Sequence, residues 1–225
     1  MRGSRELLAV LVLLTPSACR DSSGPDSPVA SEIVAFAGDG QLGFVATTSA
    51  PIVARVRSDD NTPIEGFEVH FEVSAGDAAV TASRVITDVN GLARSRVEYG
   101  TRAGRISVHA SAAVPNSPAI FRLEAVPEFP RGVLIVSGND QLGLPGAMLP
   151  QPLVARVVDR FDNDVPDVDV SFTVSRGSGS VEPASARTDA RGRVQTQWRL
   201  GSSGEQQVIV TTENGKQAFF NALAR

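Results

Sequence analysis

Only a few side chains in this 225-residue chain are of kinds that perform chemistry: His70, His109, the single cysteine Cys19, and an acidic run from Asp159 to Asp169. The histidines could act as general bases, but a base needs a nucleophile or an orienting partner within hydrogen-bond reach. His70 alternates with apolar residues in Phe67-Glu68-Val69-His70-Phe71-Glu72-Val73, which puts it on the polar side of a strand. The sequence has no Gly-x-Ser-x-Gly elbow, His-Glu-x-x-His pair or phosphate-binding glycine loop. The expectation is a non-enzyme with no catalytic residues and no cofactor. Asp159, Asp162, Asn163, Asp164, Asp167 and Asp169 supply oxygen ligands of the type Ca²⁺ prefers. The glycine and the bidentate glutamate of an EF-hand loop are absent, and turn-forming Asp and Asn account for the same residues without a metal. No metal site is assigned, and calcium binding by residues 159–169 stays open.

The segment that carries Cys19 points to export. Arg2 and Arg5 precede an apolar run from Leu7 to Leu14, followed by Thr15-Pro16-Ser17-Ala18-Cys19. The run is too short to span a bilayer and ends in small residues, as a cleaved secretory signal requires. A lone thiol in an exported chain cannot close an intramolecular disulfide. Ser17-Ala18-Cys19 resembles the end of a bacterial lipoprotein signal, and the resemblance implies acylation of Cys19 with cleavage ahead of it. Pro16 stands where that family usually has an aliphatic residue, so ordinary cleavage near Ala18 is the alternative. Residues 19–32, rich in Ser, Pro, Gly and Asp, read as a flexible tether.

The rest of the chain is a tandem duplication. Gly38-Asp39-Gly40-Gln41-Leu42-Gly43 returns as Gly138-Asn139-Asp140-Gln141-Leu142-Gly143, and Pro51-Ile52-Val53-Ala54-Arg55-Val56 as Pro152-Leu153-Val154-Ala155-Arg156-Val157. Phe71 to Phe172 and Thr87-Asp88 to Thr188-Asp189 are both offset by 101 positions. A unit this long is a self-sufficient domain with its own core rather than a solenoid repeat. Period-two alternation dominates, and the twin of the His70 strand, Val168-Asp169-Val170-Ser171-Phe172-Thr173-Val174, keeps the apolar set while the polar set changes. Further strands are expected at Ile52–Val56, Arg84–Thr87, Ala93–Tyr99, Ile106–Ala110 and Phe121–Val126, with no amphipathic helix. Their spacing argues for an antiparallel β-sandwich in each half. Asp88-Val89-Asn90-Gly91 and Asp189-Ala190-Arg191-Gly192 read as tight hairpins whose glycines supply a positive φ. Tyr99 and Trp198, at equivalent places, are expected in the core between the sheets. Val126-Pro127-Glu128-Phe129-Pro130-Arg131-Gly132 is held extended by its prolines, and Phe129 is expected to be buried between units stacked end to end.

The succession Gly-Asn-Asp-Gln-Leu-Gly (138–143), Val-Asp-Val-Ser-Phe-Thr-Val (168–174), Gly-Ser-Gly-Ser-Val (177–181), Thr-Asp-Ala-Arg-Gly (188–192) and Trp-Arg-Leu-Gly (198–201) resembles the bacterial Ig-like group 1 domain of the intimin and invasin adhesins. The resemblance is weaker in the first unit, where Tyr99 stands for Trp198. It implies an all-β chain of two immunoglobulin-like sandwiches without disulfides, used as a stalk or display module at the cell surface, and it carries no catalytic residue. The expected division is 1–18 signal peptide, 19–32 tether, 33–126 first Ig-like domain, 127–131 linker and 132–225 second Ig-like domain. The net charge of −4 and the scattered arginines exclude a nucleic-acid partner. The expected partners are the membrane through an acylated Cys19, and envelope proteins or extracellular polysaccharide on the outside. A secreted carbohydrate- or matrix-binding module is the alternative, and it predicts a solvent-exposed aromatic pair or a wide groove.

Overall fold

The computed structural model describes residues 28–225. The first unit runs through β1 (Glu32–Ala37), β2 (Leu42–Phe44), β3 (Ile52–Arg57), β4 (Glu68–Ala75), β5 (Ala78–Val80), β6 (Arg84–Ile86), β7 (Leu92–Ser95), β8 (Val97–Tyr99), β9 (Gly104–Ser111) and β10 (Ala119–Val126). One sheet has the order β1-β3-β7, extended by the pair β5-β8, and the facing sheet has the order β2-β10-β9-β4-β6. The second unit repeats this with β11 (Gly132–Ser137), β12 (Gln141–Gly143), β13 (Leu153–Val158), β14 (Asp169–Arg176), β15 (Ser180–Glu182), β16 (Ser185–Arg187), β17 (Arg193–Arg199), β18 (Gly204–Thr212) and β19 (Gln217–Ala224). Its sheets have the orders β11-β13-β17-β15 and β12-β19-β18-β14-β16. The chain is all-β, two tandem immunoglobulin-like sandwiches.

Alternation explains the layering. In β3 every second residue, Ile52, Ala54 and Val56, is buried, and in β10 Phe121, Leu123 and Ala125 are. Facing sheets that each bury one side chain in two enclose a core between them. Each unit has its own core, with Phe71 and Phe121 at ring centroids 6.5 Å apart in the first and Trp198, Phe172 and Phe220 in the second. Tyr99 and Trp198 sit in these cores at 4% and 0% exposure, as expected, but they are not equivalent: Leu149 N bonds Trp198 O as Ser49 N bonds Val97 O, so Trp198 corresponds to Val97 and Tyr99 to Leu200. Neither the Tyr99 hydroxyl nor the Trp198 Nε1 has a hydrogen-bond partner among the described residues, so each ring is held by packing alone. Burial pushes the Tyr99 hydroxyl pKa up.

The reading of Asp88–Gly91 and Asp189–Gly192 as hairpins is corrected. Both glycines have the positive φ, 70° and 64°, and both turns close by hydrogen bonds from Gly91 N to Asp88 O and from Gly192 N to Asp189 O. The strands they join do not pair: β6 lies beside β4 and β7 beside β3, in opposite sheets. The turn is a corner that carries the chain across the sandwich. Alternation along a strand shows which side is buried, not which neighbour it bonds, so a corner and a hairpin read alike.

Candidate functional site

The residues singled out from the sequence are spread over the molecule. Cys19 lies outside the described residues. His70 and His109 are half-buried on the outer face of the sheet containing β4 and β9, where His109 stands opposite Glu72. Their counterparts in the second unit are Ser171 and Ile209, so neither histidine serves the fold common to both units.

The acidic run is not gathered at one centre, and its carboxylates turn to different partners. Asp162 and Asp164 both pair with Arg156, Asp164 at 3.2 Å. Asp169 pairs with Arg187 at 3.0 Å. Asp162 and Asp167 have φ of 66° and 57°, the left-handed turn conformation that Asp tolerates. Among the described residues, no three His, Cys, Asp or Glu side chains are grouped to hold a metal ion.

Asp159 is the organising group of this loop. It is 3% exposed, and its Oδ1 accepts from the backbone N–H of Phe161 at 2.8 Å and of Asn163 at 2.9 Å. Its Oδ2 accepts from Glu128 N at 3.1 Å and from Asn163 Nδ2 at 2.9 Å. Burial alone would raise the carboxyl pKa, but the hydrogen bonds from Asn163, Glu128 and Phe161 outweigh it and hold the pKa below its usual 3.8. The loop so fixed meets the first unit. Asn163 Nδ2 also donates to Thr101 O at 2.8 Å, and its Oδ1 accepts from Ala103 N at 2.9 Å. Phe161 packs against the hydrophobic core of the first unit. Arg160 lies 4.5 Å from the centroid of the Phe161 ring and forks onto both oxygens of Glu128 at 2.9 Å. Residues 100–104 of the first sandwich therefore clasp residues 159–163 of the second, pole to pole.

Phe129 is not in this clasp, which corrects the expectation of burial. It is 79% exposed and leans on Phe44, with ring centroids 5.8 Å apart. The aromatic of the joint is Phe161, half-buried against the first unit, which reading the sequence missed. The duplication held the signal: the first-unit counterpart of Asp159-Arg160-Phe161-Asp162-Asn163 is Ser58-Asp59-Asp60-Asn61-Thr62, matched by Ser58 N bonding Thr62 O as Asp159 N bonds Asn163 O. An aromatic and a carboxamide stand in the second copy where the first has Asp60 and Thr62. That first-unit loop is closed on itself, with Asp60 accepting from Ser58 Oγ and, at 3.2 Å, from Thr62 N.

With this geometry in hand, the model of the bacterial Ig-like domain (group 1) matches residues 151–222. The match falls within the second sandwich. The matched group 1 segment spans β13 to most of β19 and includes Asp159, Phe161 and Asn163. The chain is also similar to the inverse autotransporter adhesin YeeJ of Escherichia coli K12, 26% identical over 189 residues, which take in 78% of this chain and 8% of that protein. It therefore spans a small fraction of the length of that relative. Among solved structures, the E. coli adhesin FdeC has the same fold with a TM-score of 0.61 at 15% identity, over 89% of this chain and 65% of that one. Yersinia pseudotuberculosis InvD does so with a TM-score of 0.57 at 15% identity, over 86% of this chain and 56% of that one. The two structures show that the tandem sandwiches share the fold of those adhesins.

Proposed function

We propose that this chain is a non-enzymatic cell-envelope protein, lipid-anchored at Cys19, in which two tandem Ig-like domains form a surface stalk or an adhesion and display module. The observation that carries the reading is the Asn163 clasp. A side chain of one sandwich that bonds two backbone groups of the next restricts their relative rotation, and restricted modules in series project a surface away from an anchor. The similarity to an adhesin supports the surface location. Residues 1–18 serve as signal peptide and those from 19 as tether up to Ser31 and Glu32, which pair with Arg57 and so begin the first domain rather than end the tether, while 127–131 link the domain ending at 126 to that of 132–225. Recognition of a partner protein falls to loops or to free strand edges such as those of β11 and β16.

The anchor is tested by intact mass and detergent partitioning of the full chain made in a bacterial host. The expected result is a lipid mass increment and partitioning into detergent, both lost in Cys19→Ser. A mature chain cut near Ala18 with no lipid would remove the anchor. A second reading, a carbohydrate- or matrix-binding module, is favoured by one observation, the exposed Phe44–Phe129 pair.

A further inference from the structure

Beside Phe129, the link and the second sandwich enclose an open cleft of about 530 Å³ lined by Glu128, Phe129, Arg131, Arg160, Asn214 and Lys216. With Pro130 the lining has seven residues, and three of the seven are cations, in a chain whose net charge is −4 and whose only lysine is Lys216. Arg160 is neutralised by its fork onto Glu128. Arg131 and Lys216 form no ion pair among the described residues. Asn214 Nδ2 donates to Pro130 O at 2.8 Å, and Arg131 N donates to Val158 O at 2.7 Å, so the walls are tied together.

The duplicate unit is an internal control for what the fold requires. Ser31 N bonds Arg57 O as Arg131 N bonds Val158 O, which makes Ser31 the counterpart of Arg131 and Val29 that of Phe129. Arg160 corresponds to Asp59, and the first-unit turn at residues 113–117, Ala-Val-Pro-Asn-Ser, has no charge. The sandwich closes in both places, so the cations and the exposed ring are not needed to close it.

We propose that this cleft binds an anionic sugar, specifically a uronate of an acidic polysaccharide. Phe129, braced by Phe44, offers a flat apolar face to the ring carbons, and Arg131 and Lys216 offer charged donors to the carboxylate. A neutral sugar would leave both cations unpaired, and a bare anion would leave Phe129 unused. The inference gives a ligand class to the second reading above and holds whether or not Cys19 is acylated, so the mass experiment and the binding experiment fail independently.

The test is calorimetric titration of the full chain with hexagalacturonate, with maltohexaose and inorganic phosphate as controls. Hexagalacturonate is expected to bind with an affinity that falls as salt rises, and maltohexaose is not. R131S/K216S, which installs first-unit chemistry, should weaken binding at least about tenfold through loss of the charged hydrogen bonds. Phe129→Ala should weaken it about threefold to tenfold while leaving the melting temperature unchanged. Equal binding of maltohexaose, equal competition by phosphate, insensitivity to both variants, or no binding of hexagalacturonate would each overturn the proposal.

Discussion

Trp198→Ala is expected to destabilise the second sandwich by about 3–5 kcal/mol, the cost of deleting a large buried aromatic and leaving a cavity. Trp198 is the largest of the fully buried side chains and lies between the sheets, in β17 beside β15. Its main chain also ties down the neighbouring segment before β13, since Leu149 N donates to Trp198 O at 2.8 Å. No buried hydrogen bond is lost with the indole, because its Nε1 has no partner, so the effect is one of packing and cavity alone. Urea titration followed by circular dichroism, together with calorimetry, checks this. The second sandwich should unfold at markedly lower denaturant while the first keeps its own transition. A loss below about 1 kcal/mol would mean that the core closes without the indole, contrary to the packing described.

Asp159→Ala is expected to destabilise the second sandwich by about 2–4 kcal/mol, because it strips a buried acceptor from the N–H groups of Phe161, Asn163 and Glu128 and from the Asn163 carboxamide. Trp198 is the only tryptophan, so its fluorescence reports this sandwich selectively in urea titrations. The same carboxylate sets an acid dependence. Its folded pKa is depressed, so its contribution is complete above the ordinary carboxyl value of 3.8 and is lost as pH falls through the lower folded value. Wild-type protein should therefore lose more stability below pH 3.8 than Asp159→Ala, whose profile over that range should be flatter. Parallel profiles would show that the carboxylate is not held in its charged form by the loop.

The sandwich architecture was legible because burial leaves a period-two trace and the duplication printed that trace twice. Where the two copies agree, as at Phe71 and Phe172, Val97 and Trp198 or Tyr99 and Leu200, the residue is core. Strand partners were not legible: the Gly91 and Gly192 turns look like hairpins until β6 and β7 are seen in opposite sheets. The joint was misread for a different reason. Asp159 through Asp169 looked like cation ligands because oxygen-rich loops have the same composition whether they bind metal or cap their own backbone. Phe129, flanked by prolines in the link, drew attention as the residue to bury. The aromatic that packs across the joint is instead the half-buried Phe161, held by a loop whose shape depends on hydrogen bonds from residues as far apart as Glu128 and Asn163. Local patterns do not encode such contacts, but the differences between the two copies do.

The most direct test of the account is the distance distribution between spin labels at Glu72→Cys and Thr173→Cys, equivalent exposed positions of the two sandwiches, in a Cys19→Ser background. A single narrow distribution that broadens on Asn163→Ala is the predicted result, since that substitution removes the bonds to Thr101 and Ala103. A broad distribution in the parent protein, unchanged by Asn163→Ala, would mean that the two sandwiches swing independently, and the stalk reading would fail.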